Sequence, residues 1–495
     1  MPEACPNFKT QLMENTLTTL WNKNKIILKS FLIGLLILLL LIPTFFIQGL
    51  VAERKQRQQE AITEISSRWA GSQTVVGPVI GIPYTETVSE AGNTHEQKKW
   101  AYFLPGKLSI KAHLVPEVRY RGIYQAIVYT TELQIHGSYD SLSFSELNIP
   151  RERLLWSEAA VFFDVSDVQG LKEDMVLHLT AGAGNSANPG GANPGSANPG
   201  GAIPGISATP AGSAGAATPG NSANPDAGFT SDLPFIPAKF TTDQFKSALS
   251  ASLPAKFATT NGPLEFSATV SLKGTGNLLF VPIGRETRAE ASSSWSNPSF
   301  TGSVLPDLRT VKDSGFDANW KVLALNRKYP QQWKQGVYDL NSSAFGVDLI
   351  VPVDAYQQTT RSVKYAILII VLTFTAFFLI EWIYGRPIHS LQYLLVGFAL
   401  CVFYTLLLSL SEYAGFNAAY GLAAVATIGL IGWYVGSMLR SSKMSMFIIF
   451  LLAVQYGFVF TLIQLQDYAL LMGSLGLFIT LALVMYFSRK IKWNN

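Results

Sequence analysis

Cysteine is almost missing from this chain. Its two copies, Cys5 and Cys401, lie before one apolar run and inside another, so neither a disulfide framework nor a metal-ligand spacing is built from them. Charge is scarce as well: 14% of the 495 residues are Asp, Glu, Lys or Arg, and the net charge is only +4. The basic residues form no array with interleaved aromatics, which excludes a nucleic-acid face. Catalytic motifs are also lacking, with no G-x-S-x-G elbow and no H-E-x-x-H pair. Gly274-Thr275-Gly276 has no third glycine and no following helix, and it reads as a strand turn. His95, His113, His136 and His178 are scattered, while Asp164 with Asp167 and Asp313 with Asp317 read as solvated loop acids. No catalytic residue, cofactor or metal is expected, and no enzymatic activity.

What the chain has in abundance is long apolar runs. Ile26–Val51 contains an almost pure stretch from Phe31 to Ile42, and further runs lie at Tyr365–Tyr384, Leu391–Leu410, Ala418–Met438, Ser445–Ile463 and Ala469–Phe487. About 20 apolar residues cross a hydrocarbon core of ~30 Å. The expected fold class is therefore an integral membrane protein with six transmembrane α-helices, one N-terminal and five C-terminal, plus a large β-rich domain. The first run is too long for a signal-peptide core and no A-x-A site follows it. It reads as an uncleaved anchor, kinked at Pro43.

Short loops set orientation, because long domains translocate largely regardless of charge. Gly385–Ser390 contains Arg386, Leu439–Met444 contains Arg440 and Lys443, and the tail contains Arg489, Lys490 and Lys492. The alternate loops, Ser411–Asn417 and Gln464–Tyr468, carry Glu412 and Asp467 and no cation. Both termini are expected in the cytoplasm and residues 52–364 in the periplasm. Arg54, Lys55 and Arg57 on the outer side of the first run oppose this pattern, as do Arg361 and Lys364 before the second; Lys9, Lys23, Lys25 and Lys29 balance the first group, and the exemption for long loops covers the rest.

The expected organisation is a cytoplasmic segment over 1–25 and a first membrane helix over 26–51. The outer domain covers 52–364, a five-helix bundle 365–487 and a basic tail 488–495. Phe8, Leu12, Met13, Leu17, Leu20 and Trp21 are spaced for an amphipathic surface helix. Glu53–Ser67 has no turn residue and reads as a helical stalk. Beyond it, alternation at Leu108–Leu114, Leu133–Ile135 and Leu264–Leu272, with Val161–Val165 and Leu278–Ile283, predicts strands in one or two antiparallel sheets. Residues 182–228 repeat Ala-Asn-Pro-Gly from Ala187 onward, a composition that cannot bury a core and predicts a disordered insert.

Within the membrane runs, Glu381 lies about one turn from the cytoplasmic end of the second, where a carboxylate is costly and reads as a functional group or as an anchor, with Arg386 nearby. Glu412 and Tyr413 follow the third run, as a contact to the outer domain or as solvated loop residues. Gly429, Gly432 and Gly436, and Ala469 with Gly473, predict close helix packing within the chain. The five C-terminal runs show no matched halves and no charge at mid-depth, which weighs against ion-coupled transport.

Several stretches together resemble one family. They are Val76-Gly77-Pro78, Arg121-Gly122-Ile123-Tyr124, Leu272-Lys273-Gly274-Thr275-Gly276, Trp295–Gly302, and Ser314-Gly315-Phe316 with Trp320. At the membrane they continue with Arg361–Leu368, Gln392–Gly397 and Leu410–Phe416. The chain resembles the CreD inner-membrane proteins of Gram-negative bacteria, also described as cell envelope integrity proteins. The Asn-Pro-Gly insert and the extended N-terminus depart from that pattern.

The resemblance implies a periplasmic domain on a six-span inner-membrane base and a regulatory link to a two-component system. It also implies associations with colicin tolerance, envelope stress and β-lactam response, and it supplies no catalytic residues. The expected partners are the lipid bilayer and an envelope protein, and no nucleic acid. A transporter or channel with a substrate-delivery domain is the alternative, and an enzyme acting on envelope lipid or peptidoglycan comes third.

Overall fold

The computed structural model describes residues 7–90, 93–140, 142–181, 229–237, 239–259, 262–334, 336–351, 355–384, 387–439, 441–465 and 468–489. The repeat insert at 182–228 lies outside the described residues, as do Cys5, Arg386, Arg440 and Lys490–Asn495, and the side chains expected to form the amphipathic surface. The chain forms two compact units. One comprises Met1–Glu64, Tyr120–Gln125 and Val351–Asn495, and the other Ile65–Arg119 and Ala126–Ile350.

The second unit is built of strands. They are β1 (Gln73–Glu90), β2 (Asn93–Phe103), β3 (Lys107–Arg121), β4 (Tyr124–Tyr139), β5 (Ala160–Val165), β6 (Val176–Ala181), β7 (Phe229–Pro234), β8 (Ile236–Pro237) and β9 (Leu249–Ser252). Then come β10 (Leu264–Thr275), β11 (Asn277–Phe280), β12 (Glu286–Ser293), β13 (Pro298–Gly302), β14 (Leu308–Lys312), β15 (Gly315–Leu323), β16 (Gln332–Lys334) and β17 (Phe345–Leu349). A nine-stranded sheet runs β13-β17-β11-β1-β5-β9-β8, with β2 on β1 and β16 on β2; an eight-stranded sheet runs β14-β15-β12-β3-β4-β10-β6-β7. Most pairings are antiparallel, as expected, but β1 pairs β11 and β3 pairs β12 in parallel.

The two sheets pack face to face. From the eight-stranded sheet, Tyr139 donates to Pro78 O at 2.8 Å and Tyr129 to Asn277 O at 2.6 Å, both in the nine-stranded sheet. Side chains alternate in and out along β10, β12 and β15, as a half-buried sheet requires. Between β10 and β11 stands Gly276 alone, at φ +75°, a left-handed conformation that a side chain disfavours. The strand turn expected at Gly274-Thr275-Gly276 is thus the point where the chain passes from one sheet to the other.

The first unit is helical, with α1 (Asn7–Trp69) contributing up to Glu64, then α2 (Ala355–Lys364), α3 (Ala366–Tyr384), α4 (Ser390–Leu439), α5 (Ser442–Gln464) and α6 (Ala469–Arg489). Four described stretches are long and apolar enough to cross a membrane: Leu28–Trp69, Ala355–Trp382, Ser390–Leu439 and Ser442–Gln464. α1 continues through Pro43 and on into the stalk without a break. No charge falls between Lys29 and Glu53, a length of ~35 Å at 1.5 Å per residue.

Two boundaries differ from expectation. The second apolar run is preceded by α2, which joins the helical unit although residues 355–364 read as outer domain; its Gln, Thr and Ser content hides it from a hydropathy reading. The loop expected at Ser411–Asn417 is helix on both sides of one residue, Gly415, at φ 72° and ψ 163°. The chain reverses there. The Phe403 and Tyr420 rings stand 5.3 Å apart, whereas a straight helix would separate them by ~25 Å.

α1 docks on the bundle by a narrow stripe, Ile33, Leu40, Ile47 and Val51, while Phe31, Leu35, Leu38, Phe45 and Phe46 stay exposed. Leu40 fills the space that Gly397 leaves by having no side chain, beside Phe374, and its carbonyl lies 3.9 Å from Cys401 Sγ. Gly432 and Gly436 of α4 face Ile449 and Ser445 of α5 and pack within the chain, whereas a Cβ at Gly429 or Gly473 would meet nothing within 4 Å, so the expected close packing holds in part.

Candidate functional site

Two polar clusters in the helical unit gather the acids singled out in the sequence. In the first, Lys29 of α1 forms an ion pair with Glu381 Oε1 and donates to Ile388 O at 2.7 Å. The other carboxylate oxygen accepts from Tyr393 Oη at 3.1 Å. Tyr393 is held by edge contacts with Phe374 and Phe377, whose centroids lie 5.4 and 6.0 Å away. Both Glu381 oxygens are therefore engaged by groups from α1 and α4. The cation that meets Glu381 is 352 positions away in sequence, and the expected neighbour Arg386 lies outside the described residues.

In the second cluster, Glu412 Oε1 accepts from Tyr356 Oη at 3.1 Å and stands 3.7 Å from Arg54 Nε. Its side chain is 9% exposed. The β3–β4 turn, Tyr120–Gln125, belongs to this helical unit. Its Tyr124 ring lies 6.5 Å from that of Tyr356, and Arg121 pairs with Glu64 of α1. Gly122, at φ 60°, makes the tight turn that presents both side chains. Tyr413, in contrast, is 80% exposed and takes no part in the cluster.

Lys29 and Arg54 stand 25 positions apart on α1, ~38 Å along the helix, so the clusters bracket its apolar stretch. Arg57 is matched by Glu53 at 2.7 Å, one turn away. These pairings give partners to Arg54 and Arg57, two of the five cations that oppose the orientation pattern. Carboxylates at a membrane boundary are costly alone, and here each has a cation and a phenol donor. Such clusters can hold helices in register.

The sequence marks Glu381 and Glu412 as site candidates but not Lys29, Arg54, Tyr124, Tyr356 or Tyr393. A usable signal existed, because Lys29 and Arg54 are the cations nearest each end of the first apolar run. Arg121-Gly122-Ile123-Tyr124 and Leu410–Phe416, two of the family-like stretches, meet around Glu412.

In the strand unit, the outward face of the eight-stranded sheet carries an open trough of about 660 Å3, lined by Lys111, His113, Glu132, Lys172, Glu290 and Asp317 among others. His113 Nδ1 lies 2.9 Å from Ser292 Oγ, and Lys111 pairs with Glu290 at 3.3 Å. Among the described residues no carboxylate hydrogen-bonds that imidazole, and no group of His, Cys, Asp and Glu could hold a metal ion. The shifted groups lie elsewhere. Burial pushes Tyr102 up to about 12 and raises Asp164 and Asp348, each within a sheet strand.

Comparison with known proteins agrees with this architecture. The family model described as inner membrane protein CreD matches residues 25–494. Inner membrane protein CreD of Escherichia coli (strain K12) is 31% identical over 465 residues, covering 92% of this chain and 91% of that protein. With a helical unit apolar enough for a bilayer and a match along nearly its whole length, the chain belongs to the CreD family of inner membrane proteins.

Proposed function

We propose that this protein maintains the cell envelope under stress without being an enzyme. Six helices cross the inner membrane: α1, α2 with α3, the two arms of α4, α5 and α6. Both termini face the cytoplasm, and the strand unit lies in the periplasm, where it engages another envelope protein. Links to a two-component system, to colicin tolerance and to β-lactam response belong to the same reading and rest on family membership.

One observation carries the mechanism. The β3–β4 turn is part of the helical unit, and its Tyr124 and Arg121 lie with Tyr356, Glu412, Arg54 and Glu64. An anchor alone would need only α1. A hairpin whose strands belong to one unit and whose turn belongs to the other gives the helices a direct connection to the strand unit. Partner engagement is relayed along β3 and β4 to the Glu412 cluster.

Photo-crosslinking in cells from exposed apolar positions of the strand unit, such as Leu308 and Leu325, tests this reading. A defined envelope protein captured at these positions, and lost under the conditions that relieve stress, supports it. Absence of any crosslinked envelope protein across the strand unit sinks it. The alternative, a transporter or channel, is favoured by the number of apolar helices and by Glu381. Its prediction is that Glu381→Gln abolishes function at normal protein level.

A further inference from the structure

The helical unit encloses polar atoms that its own contacts leave unmet. Tyr404 in the first arm of α4 and Tyr456 in α5 are almost wholly buried, and neither phenol oxygen has a hydrogen-bond partner. Beside Tyr456, the Gln455 carbonyl accepts from Thr373 at 3.1 Å while its amide nitrogen has no partner. On α2, Gln358 Oε1 and Ser362 Oγ are unmet as well, one helical turn apart on the buried face. All five residues are more than nine-tenths buried.

The α4 and α5 groups lie together, and α2 packs on both helices. The Phe403 ring stands 4.8 Å from that of Tyr404 and 4.5 Å from that of Tyr456. Tyr420 Oη donates to Tyr456 O at 2.8 Å, which closes one side and leaves the Tyr456 hydroxyl free.

Ring packing explains why aromatic side chains stand at 404 and 456, but phenylalanine would pack there equally well. The hydroxyls are the surplus. In a bilayer no solvent reaches such atoms from outside, and a buried polar group without a partner is expensive. α2 poses the same problem on a larger scale, since it turns Gln358, Thr359 and Ser362 inward. Of these only Thr359 is met locally, by Ala355 O at 2.7 Å.

We propose that α2, α4 and α5 enclose a hydrated chamber in which ordered water bridges Tyr404, Tyr456, Gln455, Ser362 and Gln358. Its lining offers hydroxyl and amide groups of both hydrogen-bonding senses and no ionised side chain. That chemistry suits water, which both donates and accepts, and it gives an ion no counter-charge. The inference rests on the helical unit lying in a bilayer.

X-ray hydroxyl-radical footprinting of the full chain in lipid nanodiscs tests it, because bound water generates radicals where it sits. The reference is Tyr139, as buried as Tyr404 but with its hydroxyl met by Pro78 O. Tyr404 and Tyr456 should be modified at least tenfold faster than Tyr139, and Tyr456→Phe should slow modification at Tyr404. Rates equal to that of Tyr139 overturn the chamber, with no variant needed. Thermal denaturation gives a second readout. Tyr456→Phe lowers Tm if it removes a water ligand, and raises it if the interior is dry, which again overturns the proposal. Fast modification of Phe450, exposed on α5, would overturn the bilayer reading and the chamber with it.

Discussion

Arg54 and Glu412 stand 3.7 Å apart at the end of the apolar α1 stretch opposite Lys29, with Tyr356 donating to the same carboxylate oxygen. Glu412 is nearly buried and Arg54 only partly so, which makes the acid the member that suffers when the pair is broken. Arg54→Met should lower stability by ~1–3 kcal/mol, and Glu412→Gln by less, since Arg54 can turn to solvent. A double-mutant cycle followed by thermal denaturation in detergent should give a favourable coupling. Additive effects would show that the two side chains do not interact.

At the other cluster, Lys29 is left facing a neutral amide in Glu381→Gln. A loss of ~2–4 kcal/mol is expected, partly recovered by adding Lys29→Met, which removes the stranded cation. Cellular activity of Glu381→Gln should follow the amount of folded protein. Loss of activity at unchanged protein level would favour the transporter reading.

The seat of Leu40 makes a steric prediction. Gly397→Val places a side chain where the Leu40 methyls lie and should weaken α1 docking by ~1–3 kcal/mol. Leu40→Ala in the same chain should recover part of the loss. A crosslinking assay between α1 and the first arm of α4 would read both variants.

Asp164 gives the strand unit a pH signature. Burial raises its carboxyl above the usual 3.8, with the Val165 amide opposing more weakly, so the folded protein holds that proton more tightly than the unfolded chain. Its contribution is most favourable below 3.8 and is lost as pH rises through the raised folded value. Asp164→Asn should be more stable than the native protein at pH 7, with the gain vanishing near pH 3. A difference independent of pH would rule out this origin.

The repeat insert joins two strands that already meet, since Ala181 of β6 pairs with Phe229 of β7. Replacing residues 182–228 by a short turn should leave the strand unit folded and raise its stability by up to ~2 kcal/mol through loop closure. Circular dichroism and thermal melts would check this, and an unfolded product would assign the insert a structural role.

Much of this molecule is legible in its sequence. The alternation of Leu264, Phe266, Ala268, Val270 and Leu272 appears as the buried face of β10, and the apolar runs appear as helices. β1 carries no such signal. Val75 to Tyr84 is buried on both faces and interrupted by Gly77, Pro78, Gly81 and Pro83, so it shows no two-residue period. α2 is concealed by polar side chains that turn inward. At the candidate site, periodicity marks a lone carboxylate but cannot name its partner. Lys29 and Arg54 reach Glu381 and Glu412 only after hundreds of residues have folded between them.

The most direct test is survival of a deletion strain under detergent, β-lactam and colicin challenge, complemented either by the full chain or by the strand unit carried on α1 alone at matched protein levels. If the helical unit relays what the strand unit engages, only the full chain restores survival, and Glu412→Gln in it gives partial rescue. Full rescue by the strand unit on α1 alone would contradict the relay and reduce the remaining helices to an anchor.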